Sequence, residues 1–177
     1  MHIVAIYNNK GGVGKSTLTV GLAEFLASNR QKRVLVIDLD AQASCSCSLL
    51  GRPLLIEAIQ GRSIVKLAGE VAKARRVIAR PADFFTPRPA TGARGSALER
   101  IDVLVPDKAG MLELEEVLDP RRDATLFRGF LKPALRDLFD FVLIDMPGNV
   151  DRRSTLIVAA LVMSDFVLIP IEPTQLD

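Results

Sequence analysis

A chain of 177 residues that is 49% apolar and 25% charged is long enough to bury the core of one α/β domain and too short for two. This balance excludes wholesale disorder, collagen-like repeats and low-complexity sequence. The 23 Lys and Arg residues against 21 Asp and Glu leave only +2, so bulk charge selects no polyanionic partner.

The N-terminus lacks the basic region and long apolar stretch of a signal peptide, and Ile3 to Tyr7 read as a short strand. It runs into Asn8-Asn9-Lys10-Gly11-Gly12-Val13-Gly14-Lys15-Ser16-Thr17. Beyond it, Leu18, Leu22, Phe25 and Leu26 predict the apolar stripe of a helix ending near Asn29. Val34 to Ile37 form a second strand ending on Asp38-Leu39-Asp40. Cys45 and Cys47 follow; two cysteines make neither a disulfide framework nor a zinc site and read as small core or switch-region residues.

Residues 52–100 hold ten Lys or Arg and four Asp or Glu. This excess reads either as a solvated helix face plus a loop or as a surface for an anion. Within it, 80–97 carry Pro81, Pro87, Pro89, Gly92 and Gly95 without any period, so a flexible loop is expected at about 80–98 in a single domain spanning 1–177. Ile101 to Val105 make the next strand. Gly110 to Leu118 predict a helix, and Leu126, Phe130, Leu131, Ala134 and Leu138 mark another. Phe141 to Ile144 form a strand ending on Asp145, Ser154 to Met163 a helix and Phe166 to Ile171 a last strand. The longest apolar run, Leu156 to Met163, falls far short of the roughly 18 residues of a membrane span. Unbroken apolar strands alternating with helical segments predict a mostly parallel twisted sheet with helices on both faces.

Residues 9–17 lie between a strand and an amphipathic helix, which is where a phosphate-binding loop belongs. Gly11, Gly12 and Gly14 let successive N–H groups of the loop, those of Val13, Lys15, Ser16 and Thr17 included, approach phosphate oxygens, and the helix dipole adds partial positive charge. Lys15 is placed to reach the β and γ phosphates, and the Ser16 hydroxyl to hold Mg²⁺. Acids at strand carboxyl ends face the same crevice. Asp38 and Asp40, two apart, and Asp145, in the manner of a Walker B residue, are candidates there, although a strand-end Asp also serves as a helix cap or turn former.

The usual first glycine of the phosphate loop falls on Asn9, and a second lysine, Lys10, opens the loop. In this, Lys10-Gly11-Gly12-Val13-Gly14-Lys15-Ser16 resembles the deviant Walker A loop of the ParA/MinD ATPases, which are P-loop NTPases. The resemblance continues through Asp38-Leu39-Asp40-Ala41-Gln42, similar to the family's D-x-D-P-Q with Ala41 in the proline's place. It extends through Leu104-Val105-Pro106, Asp145 and the segment from Val167 to Thr174. It implies that Lys10 reaches the phosphates of the opposite subunit in a nucleotide-sandwich homodimer, that Asp40 orients the attacking water, that Asp38 assists at Mg²⁺ and that Asp145 binds Mg²⁺ through water. Met146-Pro147-Gly148 departs from the usual D-x-P-P-S; Gly148 instead gives D-x-x-G, whose N–H would meet a γ-phosphate. Backbone around Pro170, Glu172 and Pro173 would border adenine. A guanine-reading N-K-x-D is absent, so ATP is expected rather than GTP.

The resemblance, closest to the ParA branch, implies a slow, partner-stimulated ATPase that positions plasmid, chromosome or other cargo. The partners implied are nonspecific DNA and a ParB-like protein, and the place is the bacterial cytoplasm, on the nucleoid when ATP-bound. MinD-like membrane cycling is disfavoured because the chain stops at Asp177, as a short form or a fragment. Iron–sulfur carriers are disfavoured by the position of the cysteines. The rival readings are a P-loop kinase or ligase of a small metabolite and a nucleotide-binding module without turnover.

Overall fold

The computed structural model describes residues 1–90, 98–148 and 154–172. Its strands are β1 (His2–Ile6), β2 (Val34–Asp38), β3 (Thr86–Pro87), β4 (Ile101–Leu104), β5 (Phe141–Asp145) and β6 (Phe166–Leu168). They form one sheet in the order β3-β4-β2-β5-β1-β6, parallel throughout except for β3, which runs antiparallel to β4. The expected α/β architecture is thus the observed one.

Alternate strand residues feed two cores. Ile3, Ala5, Leu35, Ile37, Val142 and Ile144 point to one face, and Ile6, Val34, Val36, Ile101 and Val103 to the other. Helices α4 (Ile64–Ala74), α5 (Lys108–Val117) and α8 (Thr155–Met163) cover the first face. A short helical turn, α6 (Pro120–Asp123), and a π-helical turn over Phe127–Leu131, which runs into α7 (Lys132–Leu135), lie beside them. Helices α1 (Lys15–Arg30), α2 (Ser44–Leu50) and α3 (Arg52–Gly61) cover the second face. The edge strand β6 departs from the rule that both faces are covered, since Phe166 and Val167 are about half exposed. Among the described residues, no helix is long and apolar enough to cross a membrane.

Three expectations are corrected. The buried face of α1 is a stripe of Lys15, Thr19, Ala23, Leu26 and Ala27, while Phe25 lies 45% exposed under the Arg30 guanidinium. Leu18 and Leu22 of the expected stripe are partly buried and pack against the same core, so the stripe is rotated rather than replaced. The stretch read as a loop holds a 3₁₀ turn at Pro81–Phe84 and the strand β3; residues 91–97 lie outside the described ones. Proline is tolerated in β3 because β3 is an edge strand. The last strand ends at Leu168 rather than Ile171.

What the sheet does for a site is bring strand ends level. Ile6 is opposite Asp145, and Asp145 is opposite Asp38. The loop leaving β1 and the acids ending β5 and β2 therefore meet along one edge.

Candidate functional site

Gly14, at φ +82, starts α1 with no side-chain cap, and Gly12 also has positive φ, +77. These two positions require glycine, because an L side chain there is strained. The loop's lysine, Lys15, is only 7% exposed, and its Nζ donates to the Lys10 carbonyl at 3.1 Å, so its ammonium is held against the loop.

One helical step on, Ser16 Oγ donates to Asp145 Oδ2 at 2.7 Å, and Thr19 Oγ1 donates to Asp145 Oδ1 at 3.0 Å. Asp145 is fully buried, and burial raises its pKa against the opposing pull of these hydroxyls and of Lys15. Asp38, also fully buried, accepts from Ser46 N and Ser46 Oγ at 2.9 and 2.7 Å and from Asp40 N at 3.0 Å. Burial, with the neighbouring Asp145 carboxylate, pushes its pKa up to about 7 despite those donors. Asp40 is partly exposed and accepts from Gln42 N at 2.9 Å.

Gly11, Gly12, Gly14, Lys15, Ser16, Thr17, Asp40, Gln42, Ser44 and Gly148 line one cleft of about 510 Å³. A Cβ on Gly148 would lie 3.3 Å from Gly11 Cα and 3.3 Å from Lys15 Nζ, so glycine lets the end of β5 approach the loop. Val13 is half-buried in the same loop. On the other side, Asn8 Nδ2 donates to Pro170 O at 2.7 Å while its Oδ1 accepts from Lys10 N at 2.8 Å. Lys10 Nζ pairs with Glu172 at 3.0 Å, and both side chains are about 60% exposed. Pro173 lies outside the described residues.

The structure thus gathers Lys15, Ser16, Asp145 and Gly148 tightly, with Asp40 across the cleft. Lys10, Pro170 and Glu172 form a second group outside the cleft lining, joined to the loop by Asn8. Asp38 is turned away from the cleft lining, into hydrogen bonds with Ser46 and Asp40. Sequence reading missed Thr19, Ser46, Gln42, Ser44 and Asn8. Of these, Gln42 stood in the Asp38-Leu39-Asp40-Ala41-Gln42 motif, while Thr19, four residues after Lys15 on the buried side of the helix that the loop opens, carried no signal of its own.

The family described as "AAA domain" matches residues 1–177. The chromosome partitioning protein ParA of Myxococcus xanthus is 30% identical over 173 residues, covering 96% of this chain and 52% of that protein. The solved structure of pNOB8 ParA superimposes with a TM-score of 0.73 at 26% identity, over 98% of this chain and 52% of that one, and the same protein is known bound to nonspecific DNA. Cobyrinic acid a,c-diamide synthase from Mycobacterium smegmatis, solved with ADP and magnesium, gives a TM-score of 0.65 at 24% identity over 97% of this chain and 60% of its own, a likeness of fold. The chain spans between 41% and 60% of the length of the first curated relatives it matches. With a family match over its whole length and ParA proteins among its relatives, the chain belongs to the AAA-domain family and, within it, to the ParA/MinD type.

Proposed function

We propose that this chain binds ATP with Mg²⁺ in the cleft at the strand ends and hydrolyses it, and that the exchange switches a sandwich homodimer used to position DNA or cargo bound to DNA. The observation that carries the reading is the Ser16–Asp145 hydrogen bond beside the buried Lys15 ammonium. A hydroxyl and a carboxylate joined next to a lysine are the donor set that Mg²⁺ and a triphosphate require, since Mg²⁺ takes few protein oxygens and fills its shell with water and phosphate. The close approach of Gly148 and the cleft of about 510 Å³ fit the same ligand.

When bound, Mg²⁺ neutralises charge on the phosphates. The other roles fall to the chain's own atoms. Lys15 supplies a fixed positive charge, and Ser16 and Asp145 hold the metal. The Gly148 N–H meets the γ-phosphate. Asp40, partly open to the cleft, orients the attacking water, and Asp38 supports the Asp40 backbone through its 3.0 Å bond. The Lys10–Glu172 pair is exposed and weak, so Lys10 can exchange that carboxylate for a phosphate of the opposite subunit. Backbone around Pro170 borders the adenine. Nonspecific DNA, a ParB-like stimulating protein and a cytoplasmic, nucleoid-associated location complete the proposal, supported by the partition proteins among its relatives.

Phosphate release from ATP with Mg²⁺ and duplex DNA, with no small-molecule acceptor added, tests this. Wild type should release phosphate slowly, and Asp40→Ala should bind ATP yet release about a hundredfold less, the scale of one lost positioning group. Equal rates remove Asp40 from the mechanism. Binding without any release favours a module that only holds nucleotide, and release only with an added metabolite favours a kinase or ligase.

A further inference from the structure

Part of the basic excess first seen in the sequence lies, in the structure, on the exposed face of one helix and at its two ends. Residues 62–80 contain six Lys or Arg and a single acid, Glu70, leaving the rest of the chain with 17 basic and 20 acidic residues. Positive charge is therefore concentrated on a net-negative body.

Helix α4 buries Ile64, Leu67, Ala68 and Val71 in the core, and its N-cap Ser63 bridges to Val105 beside the end of β4. Lys66, Glu70 and Lys73 are exposed on the opposite side, with Arg62 just before the helix and Arg76 just after it. Lys66 and Lys73 are seven residues apart, two turns, and so stand on one face about 10 Å apart. Two nearby cations are committed: Arg75 pairs with the buried Asp123, and Arg80 pairs with Asp83. Arg62, Lys66, Lys73 and Arg76 make no ion pair with a described carboxylate.

We infer that Lys66 and Lys73, on one face of α4, with Arg62 and Arg76 at its two ends, form a contact surface for the phosphate backbone of duplex DNA. The inference rests on the proposed function and gives its DNA partner a place on the chain. Cations that make no ion pair with a described carboxylate match the regular negative charge of a duplex and read no sequence. An anionic membrane fits less well, because the apolar face of α4 is spent in the core and no second apolar face is left to enter lipid. α4 contributes no residue to the nucleotide cleft, so the surface can be altered without touching the phosphate loop.

The test is fluorescence anisotropy on labelled duplexes of two unrelated sequences, with ATP and Mg²⁺, across a salt series. The full chain is compared with Lys66→Ala/Lys73→Ala and with the milder Lys66→Gln/Lys73→Gln, and binding of a fluorescent ATP analogue is measured on each. Loss of two phosphate contacts should weaken binding to both duplexes about tenfold or more and reduce the slope of log K against log salt by about 2, with ATP binding unchanged. Unchanged DNA affinity and slope in both variants, or no DNA binding by wild type, overturns the inference. Vesicles containing phosphatidylserine serve as the second probe. Loss of vesicle binding with DNA binding intact reassigns the surface to a membrane and also overturns it. Failure of wild type to bind the ATP analogue, with the salt-dependent DNA effect present, instead removes the ATPase reading and leaves the surface standing.

Discussion

Asp38 shows how a single buried carboxylate sets a pH dependence. Its pKa of about 7 in the folded chain, against an ordinary 3.8, means that the native state holds a proton the unfolded chain has released between about pH 4 and 7. Stability therefore falls as pH rises through that window and levels off above it. Asp38→Asn, which keeps an acceptor for the Ser46 donors, should weaken this dependence, leaving the part owed to Asp145, whose pKa burial also raises. Urea midpoints near about pH 5 and about pH 8 should drop between the two pH values in wild type and change less in the variant; an equal drop would place the titration elsewhere. At this scale, Lys15, Ser16 and Asp145 were legible because glycine spacing and strand-end acids carry chemistry that few other patterns carry. Thr19 and Ser46 were not, because common hydroxyl residues acquire meaning only from a partner, and Asp145 is 126 residues from Thr19.

Helix ends are where element-scale stability is concentrated. Glu115 on α5 accepts from Ser154 Oγ at 2.5 Å, Thr155 N at 2.7 Å and Leu156 N at 3.0 Å, so a carboxylate from one helix caps the first turn of another. Removing it strands two α8 amides in a partly buried junction. Glu115→Ala should cost about 1–3 kcal/mol in urea unfolding, and a change below about 0.5 kcal/mol would show that water replaces the cap. Most strands and the helices α1, α5 and α8 were readable from unbroken apolar runs and periodicity, whereas α2, α3 and α4, between Ser44 and Ala74, were not predicted as elements. Two further stretches were misread. β3 hides in a proline-bearing segment with no apolar period, and its existence depends on pairing with β4. The stripe read from Leu126, Phe130, Leu131, Ala134 and Leu138 is observed as Leu126, Phe127, Leu131, Leu135 and Phe139, because the π turn over Phe127–Leu131 shifts the phase ahead of Pro133, which cannot donate an N–H.

In the whole molecule, strand order does what no local pattern discloses. Inserting β1 between β5 and β6 places Asp145 on one side of the phosphate loop and the Pro170 segment on the other, so that Ser16 meets a residue 129 positions away. The same arrangement leaves Lys10 exposed and paired, among the described residues, with exposed Glu172. In sedimentation with ATP and Mg²⁺, wild type should form the proposed dimer and Lys10→Ala should still bind nucleotide but stay monomeric, and a dimer persisting in the variant would remove Lys10 from the proposed subunit interface. The central claim, that the turn between β1 and α1 grips a nucleoside triphosphate, is tested most directly by calorimetric titration of ATP with Mg²⁺ into wild type and Lys15→Ala. One ATP bound per wild-type chain, with an affinity at least about a hundredfold weaker in Lys15→Ala, a difference of about 2.8 kcal/mol, is the result expected. No binding by wild type, or equal affinity in the two proteins, would contradict it.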